Sequence, residues 1–270
     1  MNFEFSEEQQ AFLTEVEQFL DANHDPAVMD PTRENMAQIV DTPERRAFMA
    51  KLGEKGWLGM TWPAEYGGQE GEGVYEYQLN EALAGRGAPQ IGKGVGIIGK
   101  TLIRHGSAEL KAEFLPKILR NEVEFAVGYS EPDAGSDAAA MQLKATRSDG
   151  GWTLNGQKTW TTRGAFCTHL FGLFRTDPDG ERHRGLSYLL IPLDTPGVTV
   201  RGFGRLDGDE GFAEVFFEDA FLADDAVRGG VLLGEEGQGW KVAMSTTSSE
   251  RGLTLRSPGR FIAAVDRLLD

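Results

Sequence analysis

The spacing of apolar residues changes near Phe125 from the helical period of about 3.6 to the strand period of two. A helical stripe and an alternating strand bury different faces, so the change separates two kinds of layer. Before it, Ser6 stands as an N-cap with Gln9 at the reciprocal capping position, and Phe12, Leu13, Val16, Phe19 and Leu20 follow at helical spacing. Thr42-Pro43-Glu44 opens a second helix that ends near Gly56. Further helices are predicted over Val74–Leu83, Ile97–Arg104 and from Ser107 to about Asn121. After it, strands are predicted over 125–130, 141–147, 152–155, 158–162, 168–175, 186–191, 198–203 and 213–218. Helical spacing returns at Trp240–Met244 and again over Pro258–Leu269. The expected class is α+β. An all-α N-terminal domain spans 1–124, a middle antiparallel β-barrel or sandwich spans 125–236, and 237–270 begins a C-terminal helical bundle.

At 270 residues there is room for two domains. A formal charge of −15 without a dense Lys/Arg block argues against nucleic acid and anionic membranes as partners. No stretch approaches the ~20 apolar residues of a bilayer-spanning helix, and the acidic start is not a secretory signal. A single cysteine, Cys167, excludes an intramolecular disulfide framework and fits a reducing cytoplasm. His24, His105, His169 and His183 lie far apart, so no metal site is expected. Gly94-Val95-Gly96-Ile97-Ile98-Gly99 matches the dinucleotide fingerprint, but it follows a polar turn rather than a buried strand and reads better as a helix-entry loop. Ser136 has neither an elbow-like surround nor a His partner, which argues against a serine hydrolase.

Two segments carry chemistry. The strand-like Phe125-Ala126-Val127 breaks into Gly128-Tyr129-Ser130-Glu131-Pro132-Asp133-Ala134-Gly135-Ser136, a turn that presents backbone N–H groups and the hydroxyls of Ser130 and Ser136. An ordinary loop would read the same way. The second is Gly151-Trp152-Thr153-Leu154-Asn155-Gly156-Gln157-Lys158-Thr159-Trp160-Thr161-Thr162. Here Asn155-Gly156 is the expected turn of a hairpin, and alternation puts Trp160 and Thr162 on one face and Thr161 on the other. An indole beside a hydroxyl can stack on a ring system and bond its edge, although a lone Trp is more often a core side chain.

Together the two segments resemble the acyl-CoA dehydrogenase family. The matching residues are Tyr129–Asp137, Asn155–Thr162 and Trp62-Pro63-Ala64-Glu65-Tyr66-Gly67-Gly68. Gly234-Glu235-Glu236-Gly237-Gln238-Gly239-Trp240 and Ser249-Glu250-Arg251-Gly252 follow in family order, so the resemblance covers essentially the whole chain. Members continue beyond this point into a longer C-terminal bundle, so a truncated or shortened member is expected, one that alone holds FAD weakly.

The resemblance implies an FAD-dependent α,β-dehydrogenation of an acyl-CoA thioester. It places Val127, Tyr129, Ser130, Gly135 and Ser136 around one edge of the flavin, and Trp160, Thr161 and Thr162 against it, with the Thr162 hydroxyl near N5. Ser136 also meets substrate, as do Ser248 and Arg251. Glu250 matches the arrangement of the subset of members whose base precedes an Arg; its alternative is a surface carboxylate paired with Arg251 or Arg256. Ser130 stands where many members have Thr, and Arg163 where Asn is common. The implied partners are an electron-transfer flavoprotein and further subunits, identical or not. A non-catalytic or half-site partner subunit of a hetero-oligomeric member and an acyl-CoA oxidase are the alternatives.

Overall fold

A computed structural model describes residues 4–31, 41–206, 210–250 and 258–269, without the side chains of 248–250 and 260. The chain divides into two compact units, Met1–Gly92 with Leu119–Asn121 and Arg251–Asp270, and Lys93–Ile118 with Glu122–Glu250.

The first unit is helical. Helix α1 (Glu7–Ala22) opens with the expected capping box, in which Ser6 Oγ accepts from Gln9 N and Gln9 Oε1 accepts from Ser6 N. Helix α2 (Pro43–Glu54) is capped by Thr42, with Pro43 in the first turn. Phe12 and Phe19 of α1 set their edges against the buried indole of Trp57, with ring centroids 5.7 and 5.1 Å away. Helix α3 (Gly73–Gly85) completes the packing, and α7 (Pro258–Leu269) lies against it, with Gly259 N donating to Glu81 Oε2 at 2.7 Å.

The second unit is a curled sheet with helices packed on it. The π-helical turn Gly94–Gly99 leads into α4 (Lys100–His105), so the glycine-rich segment does enter a helix, through a widened turn. Helix α5 (Ala108–Leu119) contributes Phe114, whose ring meets Phe125 at 5.8 Å. The strands are β1 (Phe125–Gly128), β2 (Lys144–Ser148), β3 (Gly151–Thr162), β4 (His169–Arg175), β5 (Leu186–Pro192), β6 (Val198–Phe203) and β7 (Phe212–Ala223). They form one sheet in the order β1-β4-β2-β3-β7-β6, with β5 also paired to β4. The α+β class holds, but the sheet is mixed rather than wholly antiparallel, because β1 and β2 both run parallel to β4. Helix α6 (Gly239–Glu250) packs over β4 and β5, with Thr246 Oγ1 and Thr101 Oγ1 2.9 Å apart.

The expected hairpin at Asn155-Gly156 does not form. Strand β3 runs unbroken through it, and the two-residue turn falls earlier, at Asp149-Gly150, between the paired Ser148 and Gly151. Asn155-Gly156 instead marks a register shift against β7. The side-chain amide of Asn155 donates to Asp219 Oδ1 at 3.0 Å, while its Oδ1 accepts from Asp219 N at 2.9 Å. Gly156 sits at φ +137, where a Cβ would come within 2.8 Å of Leu143 Cγ. A strand with ladder partners on both sides satisfies more backbone groups than a local turn does, so the sheet overrides the dipeptide's preference.

Candidate functional site

Strand β1 delivers the polar turn. Val127 pairs with Phe171 and Gly128 with Gly172; a Cβ on Gly172 would lie 2.1 Å from the Gly128 carbonyl oxygen, and one on Gly128 2.6 Å from the Leu170 side chain. Beyond Gly128 the chain leaves the ladder. Tyr129 turns its hydroxyl to that of Tyr188, 2.8 Å away. Glu131 and Ala134 bond reciprocally through their backbones, at 2.9 and 3.1 Å, and so close the turn around exposed Pro132 and Asp133. Gly135 and Ser136 follow, both exposed, and a Cβ on Gly135 would meet nothing within 4 Å. The next residues are held from behind. Arg182 pairs with Asp137 at 2.6 Å, and the buried Arg175 guanidinium donates to the carbonyls of Ala139, Met141, Gly180 and Arg182. Burial lowers the pKa of Arg175, against the pull of Glu131 and Asp177.

Strand β3 supplies the facing wall. Thr159 N donates to the Ser130 carbonyl at 2.9 Å, which brings the turn and the Trp160 segment side by side. Trp160 is 61% exposed, an unusual state for an indole in a sheet, and its φ of +52 is a strained conformation for a residue with a Cβ. It sits within a second register shift, between Lys158 and Thr161, and is flanked edge-on by Phe203 and Phe212 at 5.2 and 5.6 Å. Thr161 is fully buried with its hydroxyl unpartnered, whereas Thr162 is half-buried, so burial alternates across these three residues as expected. Arg163 adopts φ +62, a left-handed conformation that Asn adopts more readily, and its guanidinium lies 3.5 Å from Glu124.

Two residues within these motifs escaped the sequence reading. Lys158, fully buried, donates to Glu131 Oε1 (2.8 Å) and to the carbonyls of Leu173 (2.8 Å) and Tyr129 (3.4 Å). Glu131 accepts in addition from Gln142 N at 2.6 Å and Leu143 N at 3.1 Å. Burial pulls the Lys158 pKa down while Glu131 opposes it. Strict alternation would put Lys158 on the face of Trp160; the register shift between them lets the ammonium point inward and the indole outward. The available signal was one charge of each sign, Glu131 and Lys158, each within a motif that carries the candidate site.

Glu250 ends α6, but its side chain and that of Ser248, like the whole of Arg251, lie outside the described residues. The structure brings the Ser130 end of the turn beside the Trp160 segment, while Thr161, assigned to the flavin with them, is fully buried. An outward-facing indole, a half-buried threonine hydroxyl and an open Gly-Ser backbone suit a planar, polar-edged ring such as an isoalloxazine.

Comparison with known proteins bears on the same residues. The profile described as acyl-CoA dehydrogenase, N-terminal domain, matches residues 6–122, and that described as acyl-CoA dehydrogenase, middle domain, matches 126–220. The chain is 38% identical over 265 residues to acyl-CoA dehydrogenase IpdE1 of Mycolicibacterium smegmatis, covering 92% of this chain and 65% of that protein. It is 32% identical to acyl-CoA dehydrogenase FadE29 of Mycobacterium tuberculosis, covering 99% and 67%. Among solved structures, the Tcur3481-Tcur3483 steroid ACAD superposes with a TM-score of 0.87 at 27% identity, over 100% of this chain and 68% of that one. The ChsE4-ChsE5 complex from Mycobacterium tuberculosis superposes with a TM-score of 0.80 at 28% identity, over 96% and 64%. The chain thus spans about two thirds of the length of these relatives.

Proposed function

The chain belongs to the acyl-CoA dehydrogenase family, and from that premise we propose that it is the flavin- and substrate-binding part of an FAD-dependent enzyme that removes two hydrogens across Cα–Cβ of an acyl-CoA thioester. The observation that carries this reading is the exposed Trp160, presented on a strained bulge that is hydrogen-bonded to the Ser130 turn.

In this reading Val127, Tyr129, Ser130, Gly135 and Ser136 hold one edge of the ring system, and Trp160 and Thr162 form its other wall, with the buried Thr161 behind them. When bound, FAD supplies the hydride acceptor. Glu250 removes the α proton; enclosed by apolar substrate, such a carboxylate has its pKa raised toward the working pH, as a general base requires. Ser136 and Ser248 contact the thioester, and Arg251 orients it or the base. Fixed donors beside the thioester carbonyl stabilise the charge that develops as the weakly acidic proton leaves.

Solved relatives that pair two different chains, the Tcur3481-Tcur3483 steroid ACAD and the ChsE4-ChsE5 complex, support assembly with a second subunit and a bulky substrate such as a steroid side-chain thioester. An electron-transferring flavoprotein is the proposed acceptor, a choice supported by the likeness to the structure titled for that of Acidaminococcus fermentans. The lone Cys167 favours the cytoplasm, and no described helix is long and apolar enough to cross a membrane.

The test is to purify the chain, record its flavin spectrum with and without added FAD, and screen acyl-CoAs for bleaching of the flavin band. Glu250→Gln is expected to keep the flavin and abolish α-proton exchange. Unchanged exchange moves the base elsewhere; absence of any flavin uptake sinks the reading.

A further inference from the structure

Lys158 and Glu131 lie beside the candidate site, yet neither faces it. The three protons of the Lys158 ammonium face Glu131 Oε1, the Leu173 carbonyl and the Tyr129 carbonyl, with the weak acceptor Met141 Sδ at 3.6 Å beside them. The remaining capacity of Glu131 is taken by the backbone N–H groups of Gln142 and Leu143. One buried pair therefore ties together the turn after β1, the segment before β2, strand β3 and strand β4. The residues next to it in sequence are the ones assigned to the flavin: Ser130 adjoins Glu131, and Trp160 stands two residues beyond Lys158.

Stability alone does not account for such a pair. Two well-packed apolar side chains of similar volume are often as stable as a buried ion pair, or more so. What they lack is direction: an apolar contact tolerates sliding, whereas a hydrogen-bonded ammonium fixes its partners to within a fraction of an ångström. A ring held between a turn and an indole is sensitive to that distance. The register shift that turns Trp160 outward begins immediately after Lys158, so the ammonium anchors the strand at the point where its course changes.

We propose that the Lys158–Glu131 pair is a positioning element, which sets the gap between the Ser130 turn and the Trp160 indole and thereby the fit of the flavin between them. This rests on the flavin reading above.

The experiment compares the full 270-residue chain with the double variant Lys158→Met/Glu131→Gln. The first measurement, without flavin, follows the indole N–H resonance of Trp160, assigned with Trp160→Phe, together with the thermal midpoint. The second titrates FAD into each protein and records the visible band. The double variant is expected to melt within about 5 °C of the parent. Its Trp160 resonance should shift or split while those of Trp57 and Trp62 stay in place. FAD affinity should fall by about tenfold or more, with an altered band shape. A folded double variant with an unmoved Trp160 resonance overturns the proposal whether or not flavin binds. A moved resonance in a chain whose parent takes up no FAD upholds the positioning role and overturns the flavin reading instead. Should the double variant fail to fold, Lys158→Met alone, which leaves the Glu131 carboxyl on the Gln142 and Leu143 N–H groups and free to neutralise by protonation, gives the same two readings, and an unmoved indole is again decisive against it.

Discussion

Two indoles in this molecule have almost the same neighbours and opposite fates. Trp57, in the helical unit, is 4% exposed and meets the rings of Phe12 and Phe19 edge-on; Trp160, in the sheet unit, is 61% exposed and meets Phe203 and Phe212 edge-on. Ring-to-ring contact is therefore not what separates a core tryptophan from a binding one. The difference lies in the backbone. Trp57 follows α2 in an ordinary conformation, whereas Trp160 is carried outward by a bulge at positive φ, which costs conformational energy and recovers less from burial. Positive φ and exposure recur at Glu70, Arg182 and Asp219, so what sets Trp160 apart is that the side chain left exposed is a large apolar ring.

The comparison can be broken by truncation. Trp57→Ala should destabilise the protein by about 3–5 kcal/mol, as expected for a buried aromatic. Trp160→Ala should change stability by less than about 1 kcal/mol and yet abolish measurable FAD uptake. Denaturant midpoints and flavin titrations on both variants check this, and comparable losses of stability would erase the distinction.

A third aromatic cluster sharpens it by adding a ring that titrates. His169 is packed by Phe114 at 5.2 Å and Phe125 at 5.6 Å, and burial holds its pKa at about 4. Because that value lies below the usual 6.5, the unfolded chain takes up the proton first. The stability contributed by the neutral imidazole is complete above pH 6.5 and is lost as pH falls toward 4, on the order of 3 kcal/mol in all. Unfolding measured at several pH values, with His169→Leu as reference, should show that extra slope in the parent alone. Smallest is the strain itself: Trp160→Gly should be more stable than Trp160→Ala by about 1 kcal/mol, because glycine enters the left-handed region freely. Equal midpoints would mean that the bulge has relaxed.

Much of this was legible in the sequence, for reasons that are local. Ser6 with Gln9 and Thr42 with Pro43 fix helix starts through bonds that span three residues, so a linear reading finds them. The change of period at Phe125 coincides with the first residue of β1. The site's turn and its Trp-Thr wall were legible as well, since both are short contiguous motifs. What stayed hidden depends on partners far along the chain. Asn155-Gly156 reads as a turn until Asp219 is brought opposite it. Lys158 reads as a solvated charge until Glu131 and the Leu173 carbonyl surround it. Counting alternate residues through Trp160 cannot reveal a bulge that lets residues three apart, Lys158 and Thr161, both face inward.

The missing methyl groups of Gly128 and Gly172 have a consequence for how the site tolerates change. With the two main chains in near contact, each glycine must stay opposite the other. A side chain at position 172 would meet the Gly128 carbonyl, and one at 128 the Leu170 side chain. The parallel strands act as a keyed joint, so the height at which the polar bend leaves the sheet is set by steric exclusion. Insertions or deletions in this short strand would move these glycines out of register with their close contacts.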